Sequence, residues 1–257
     1  MYNKYLNTQV DHEKRIGKVK YDITEDGFDD SLGTIGGGNH FAELMMVESG
    51  DMDSDRLYLC VHSGSRDYGV HIQSLFPGVK SISINNPMYN DFMKLHNKGI
   101  VWAKLNRELI AHKFCKAAGL TLDKKLYELT HNFIEKRDFM HIHRKGSIPA
   151  NDGPAMIPGS RGTFSYLVES KGDLHSLPHG AGRKLSRNMA KEKLNHYTVK
   201  EMIKTDLNSY VVTDSKSILI TEHPECYKDI DSIIGLLEQD HGVKVIAKFR
   251  PLVTVKY

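Results

Sequence analysis

Fourteen histidines occur in 257 residues, most of them beside Gly, Ser, Asn or Arg rather than inside apolar stripes. Imidazole is a common metal ligand and proton carrier near neutral pH, yet a single histidine is more often a hydrogen-bonded structural group. Context therefore decides. His40 closes the turn GTIGGGNH (33–40), with Asn39 before it and Glu43 just after. Glycines allow such a turn to approach an anion with its amides. No Lys-Ser/Thr pair follows and the spacing does not match GxGxxG, so neither standard phosphate loop applies. His62 ends the strand-like run RLYLCVH (56–62) and enters SGSR, a position from which an imidazole can serve a metal at a sheet rim. His131-Asn132 is a third candidate. His141 and His143 share a strand face in a charged stretch and read as solvated.

His179 stands in a different setting, PHGAGRKLSR (178–187), among small residues and close to Arg183 and Arg187. A histidine can attack a phosphoryl group itself and form a phosphoramidate. Small neighbours then admit a nucleotide, and cations neutralise its phosphates. A second polar turn, IPGSRGTFSY (157–166), offers Ser160, Arg161 and Ser165. Each feature is ordinary alone, but their joint occurrence marks a site.

The elements that must position these groups follow from periodicity. FAELMMVE and RLYLCVH read as strands, the latter with Tyr58, Cys60 and His62 on one face. The stretch 87–120 is helical with a break expected at Gly99, and short strands and turns fill 127–168. A basic helix follows HGAGR. SYVVT and SILIT suggest strands around 209–221. YKDIDSIIGLLEQDHG (227–242) is an amphipathic helix stopped by Gly242, and VKVIAKFRPLVTVK closes the chain as one or two strands. Helix and strand signals do not alternate regularly, so the fold class expected is α+β, with mixed β-sheets and surrounding helices. Residues 1–30 form a charge-rich lead-in, and 31–257 form the main domain.

Composition sets broad bounds. The chain is 40% hydrophobic and 26% charged, which supports a packed core and argues against disorder. A net charge of +3, from 35 basic and 32 acidic residues, is compatible with RNA but does not argue for it. The apolar runs fall short of the ~20 residues of a membrane span, and the N-terminal residues do not resemble a signal peptide. Three scattered cysteines, Cys60, Cys115 and Cys226, fit a reducing cytoplasm better than a disulfide framework.

Taken together, eight blocks in order resemble the RtcB family of RNA ligases: GTIGGGNHFAE (33–43), VHSGSR (61–66), AKLNR (103–107), THN (130–132), HRKGS (143–147), IPGSRGTFSY (157–166), HGAGRKLSR (179–187) and ECYKDID (225–231). The resemblance implies an RtcB-like fold lacking its N-terminal part and a manganese- and GTP-dependent enzyme. That enzyme would join 2′,3′-cyclic phosphate or 3′-phosphate RNA ends to 5′-hydroxyl ends. His179 would be the guanylylated nucleophile, and His40, His62 and His131 the manganese ligands. The GTP-binding set would comprise Asn39, His40, Phe41, Ala42, Glu43, His131, Asn132, Pro158, Gly159, Ser160, Arg161, Ser165, Gly180, Ala181, Gly182, Tyr227 and Lys256. Arg66, Lys145 and Arg187 would meet RNA phosphates. The family's upstream DxGCG-type motif, whose Asp and Cys bind metal, does not occur here. Three expectations stay open for that reason: a minimal ligase with Cys60 as a substitute thiolate, a non-catalytic nucleotide- or RNA-binding protein, or the C-terminal portion of a split ligase. The first block begins at residue 33, which suits the split reading, with a separate chain supplying the Asp/Cys segment. A metal-dependent RNA-end phosphodiesterase is the alternative from another class.

Overall fold

The structure is a computed structural model that describes residues 27–124, 126–150, 153–171 and 175–257. Residues 1–26 of the expected lead-in lie outside the described residues. The described chain divides into two compact units, one holding residues 27–34 and 63–122, the other 35–62 and 123–257.

The first unit is helical. A 3-10 helix, Phe28–Ser31, precedes helix α1 (Arg66–Ser74) and the long helix α2 (Met88–Ala117). Trp102, Leu105 and Leu109 recur at helical spacing on α2 and bury against Leu32, Tyr68 and Ile72. Helix α2 runs through Gly99 without the expected break. Gly99 is buried there, and a Cβ at its position would lie 3.1 Å from Ile72 Cδ1, so the glycine serves close packing rather than termination. Asn106, fully buried on α2, accepts from the amides of Gly33 (2.7 Å) and Thr34 (3.2 Å). Its Nδ2 donates to Thr34 O, Ser63 Oγ and Gly64 O.

The second unit is built on a six-stranded sheet. Strands β1 (Phe41–Gly50), β2 (Leu57–His62), β6 (Ala155–Ile157), β7 (Ser165–Ser170) and β10 (Val243–Val255) run in the order β2-β1-β10-β7-β6, and β9 (Tyr210–Val212) lies parallel to the end of β10. The closing segment is thus one long strand. Its Pro251, which has no N–H to give, falls between the stretch of β10 paired with β7, ending at Phe249, and the stretch paired with β9, starting at Val253. A register shift against β1 occurs at the same place. Two small ladders complete the strands: β3 (Asn132–Arg137) with β4 (Met140–Lys145), and β5 (Ser147–Pro149) with β8 (Ser176–Pro178).

Helices α3 (Arg187–Lys193), α4 (Val199–Ile203), α5 (Lys216–Thr221) and α6 (Ile230–His241) cap these strands. SILIT, read from sequence as a strand, is the body of α5. The Ser215 hydroxyl accepts from Ile218 N and starts the helix, and Leu219 and Ile220 bury on its inner side. A short apolar run carries no periodicity that separates the two states. Helix α6 follows its pattern: Ile230, Ile234 and Leu237 face a core with Ile157, Tyr166 and Val168, and Gly242 ends it at φ 61°. The mixture of helices with largely antiparallel sheets is the α+β class expected.

Candidate active site

The chemistry collects where ladders end. His62 is the last residue of β2, and His40 directly precedes β1. His131 precedes β3, and His179 follows β8. Gly146 joins the last two. It continues the β3–β4 ladder by one step, donating its amide to His131 O (2.8 Å), and it continues the β5–β8 ladder by accepting from His179 N (3.3 Å). One glycine between two short ladders therefore brings two histidines, distant in sequence, side by side. Their rings stack at 4.6 Å, with His62 4.9 Å from His131 and 5.7 Å from His179. Gly146 adopts φ +69°, and a Cβ there would stand 3.2 Å from His179 Cε1 and Nδ1.

His179 Nδ1 lies 2.7 Å from the Gly146 carbonyl. A carbonyl can only accept, so Nδ1 carries the proton and the neutral ring keeps its lone pair on Nε2. Ring nitrogens of His62, His131 and His179 all lie within 4.8 Å of one another, a donor set fit for a divalent cation. His40 stands alongside, its ring 5.9 Å from that of His62. Burial, with the His131, His40 and His179 imidazoles and the Lys256 ammonium adding to it, holds His62 well below the ordinary imidazole range. That keeps a lone pair available for a metal. Cys60 is not part of this group. It packs beside Met45, Val47 and Phe249, and burial with the nearby Glu43 charge pushes its thiol up to about 12, so a thiolate ligand is not what its surroundings favour.

These histidines open onto a cavity of about 510 Å³. Of the sequence-predicted residues, Asn39, His40, Phe41, Glu43, His62, His131, Asn132, Lys145, Pro158, Gly159, Ser160, Arg161, His179, Gly180, Ala181, Gly182, Arg187, Tyr227 and Lys256 all line it. Ala42 and Ser165 do not. Ala42 is fully buried within β1, and Ser165 is buried with its hydroxyl accepting from Gly159 N (3.3 Å). Arg66 belongs to the first unit, where its Nε donates to Thr34 Oγ1 (3.3 Å). The glycines are structural necessities: a Cβ at Gly159 would meet Phe164 O at 2.2 Å, and one at Gly38 would meet Arg187 Nη2 at 2.9 Å. Arg161 is held by its Nη atoms on the carbonyls of Met202 and Leu219, both at 2.7 Å, and desolvation brings it down to about 10.

Away from the histidines, buried charges face one another. Glu43 is buried and accepts from Thr254 Oγ1 at 2.5 Å; desolvation lifts it to about 7, against the opposing pull of Thr254 and Lys256. Lys256 is buried too and is brought down to about 8 by desolvation, which Glu222 and Glu43 oppose. Glu222 was not expected from sequence. Its carboxylate meets Arg183 Nη1 at 3.2 Å, Lys256 Nζ and Arg187 Nη2 at 3.7 Å each, and accepts from the Tyr227 hydroxyl. Burial and the Glu222 charge push the Tyr227 phenol far up. Arg183 lies 5.0 Å over the Tyr227 ring. The buried Nη2 of Arg183 and Nε of Arg161 have no partner among the described residues, and both side chains line the cavity. Buried donors of this kind fit an anionic ligand.

Clustered imidazoles, a histidine of fixed tautomer and cationic cavity walls in an α+β fold fit the handling of phosphate groups. The sequence model of the family described as tRNA-splicing ligase RtcB matches residues 7–257. Residues are 34% identical over 248 positions to the RNA-splicing ligase RtcB2 of Escherichia coli strain ATCC 25922, covering 88% of this chain and 65% of that protein. The tRNA-splicing ligase RtcB of Nanoarchaeum equitans is 27% identical over 286 positions, covering 88% and 60%. The RNA-splicing ligase RtcB of Escherichia coli K12 is 28% identical over 260 positions, covering 88% and 61%. The chain belongs to the RtcB family, and it spans less than two thirds of the length of these relatives. No helix among the described residues is long and apolar enough to cross a membrane.

Proposed function

We propose that this chain is a GTP- and manganese-dependent RNA ligase that works through a guanylylated His179. The observation that carries this reading is the Gly146 carbonyl on His179 Nδ1, 2.7 Å away, which leaves Nε2 as the nucleophilic nitrogen beside two further imidazoles. In the first step Nε2 attacks the α-phosphate of GTP, a P–N bond forms, and pyrophosphate leaves. The GMP then passes to an RNA 3′-phosphate, and a 5′-hydroxyl displaces it to seal the strand. Manganese, held by His62, His131 and His40, would neutralise and orient the α-phosphate. Asn39, Ser160, Arg161 and the turn 180–182 line the space a nucleotide would fill, while Glu43 and Lys256 offer an acceptor and a donor for a purine edge. Lys145 and Arg187 present cations for the RNA backbone, and Arg66 is proposed for the same task. The substrate would be tRNA halves or broken RNA. Three free cysteines, two of them buried, suit the cytoplasm.

One observation favours a further ligand. Among the described residues the metal-fit group is made of imidazoles alone, all neutral donors. An Asp/Cys segment contributed by a separate chain would add the anionic ligands that manganese favours. The test is incubation with manganese and α-labelled GTP. Acid-labile label that vanishes in His179→Ala is expected, and label retained in that variant overturns the nucleophile. Opening of cyclic phosphate ends without GTP would instead make the chain a phosphodiesterase.

A further inference from the structure

Beyond the residues that would touch GTP, one buried carboxylate organises a whole wall of the cavity. Glu222 is 2% exposed and lies at the end of α5, in a segment, TEHPEC, with no sign of chemistry in its sequence. Its two oxygens divide the work. Oε1 meets Arg183 Nη1 and Arg187 Nη2, and Oε2 meets Lys256 Nζ and the Tyr227 hydroxyl. These partners come from three parts of the chain: the 183–187 stretch leading into α3, Tyr227 just beyond Glu222, and the residue after β10. Arg183 is then fixed a second time, by donating to the Tyr227 hydroxyl at 3.1 Å and lying over its ring. Three cations around one carboxylate leave net positive charge in the cavity wall, which suits an incoming polyphosphate. Without the carboxylate those cations would repel one another and leave their places.

We infer that Glu222 is a positioning residue of the nucleotide pocket, holding Tyr227, Arg183 and Lys256 in place so that GTP binds tightly without touching Glu222 itself. This rests on the GTP reading above. A carboxylate is required because a neutral amide of the same shape, as in Glu222→Gln, cannot balance three cations, while it still fills the same volume. The role concerns ground-state binding and not the attack by His179, so it separates affinity from rate.

The experiment measures the dissociation constant of GTP by calorimetry and the guanylylation rate at saturating GTP, for the wild type, Glu222→Gln and Tyr227→Phe. Expected are an affinity about tenfold weaker in Glu222→Gln, with its saturating rate within about twofold, and an affinity about threefold weaker in Tyr227→Phe. GTP affinity equal to wild type in either variant overturns the inference. So does a fall in rate and affinity together with a lowered melting temperature, which would make Glu222 a purely structural group. If Glu222→Gln does not fold, Tyr227→Phe decides by affinity, since it removes the hydroxyl that donates to Glu222 and accepts from Arg183. If the wild type binds no GTP, the nucleotide reading itself fails, and this inference with it.

Discussion

The imidazole group and the charged group of the same cavity are held in opposite ways. Around His179 the fixing contacts come from the backbone: the Gly146 carbonyl, the Gly146 amide on His131 O, and ladder ends that aim each ring. Around Glu222 they come from side chains, with one carboxylate against Arg183, Arg187, Lys256 and Tyr227. The difference follows from what each group must present. A nucleophile or metal ligand needs a neutral lone pair, and backbone dipoles orient a ring without changing its charge. A site for phosphates and a purine edge needs charge, and buried charge persists only beside an opposite one. Perturbing a backbone-held ring should therefore affect rate, and perturbing a charge-held group should affect affinity and pH response.

The strongest break in the comparison is His179→Ala. Guanylylation should fall by at least about 10⁴-fold while GTP still binds, read by labelled adduct and calorimetry side by side. Loss of binding alone would move His179 into the charged group's role. Next come the metal ligands. His62→Ala and His131→Ala should each weaken cobalt(II) binding by about 10²-fold, seen in its visible absorption, and His40→Ala by less. An equal loss at His40 would shift the ion toward β1. Gly146→Ala places a Cβ 3.2 Å from the His179 ring in a left-handed backbone position and should slow guanylylation by about tenfold or more, with GTP affinity little changed.

The smallest effect concerns Lys256, whose folded-state value of about 8 lies below that of an unfolded lysine. Between about pH 8 and about pH 10 the unfolded chain holds the proton that the folded chain gives up, so stability rises with pH across that window. Urea unfolding of wild type against Lys256→Met at about pH 7.5 and about pH 9.5 should show wild type gaining on the variant. A flat difference would mean that Glu222 and Glu43 keep the ammonium charged throughout.

Sequence alone displayed the imidazole group well and the charged group poorly. Glycine turns around His40 and His179 leave a visible trace because only glycine fits there, and the strand pattern ending at His62 is clear from alternation. Glu222 leaves none. Its environment brings in the distant 183–187 stretch and Lys256, and TEHPEC looks like any polar connection. Gly146 sat inside the recognised HRKGS block, but its role as the link between two ladders depends on register, which the residues do not announce. Helix α5 was misread for a related reason: five apolar or hydroxyl residues fit either state until Ser215 is seen to cap them. Ala42 and Ser165 are placed with the nucleotide by resemblance; both are buried and neither lines the cavity.

Asn106 ties both ends of the excursion that carries His40 and His62, since Gly33, Thr34, Ser63 and Gly64 all bond to its one amide. The residues between thus behave as a closed ring whose closure does not depend on the sheet. If strands β1 and β2 part locally, their ends stay together, and re-pairing needs only a short search rather than a long one.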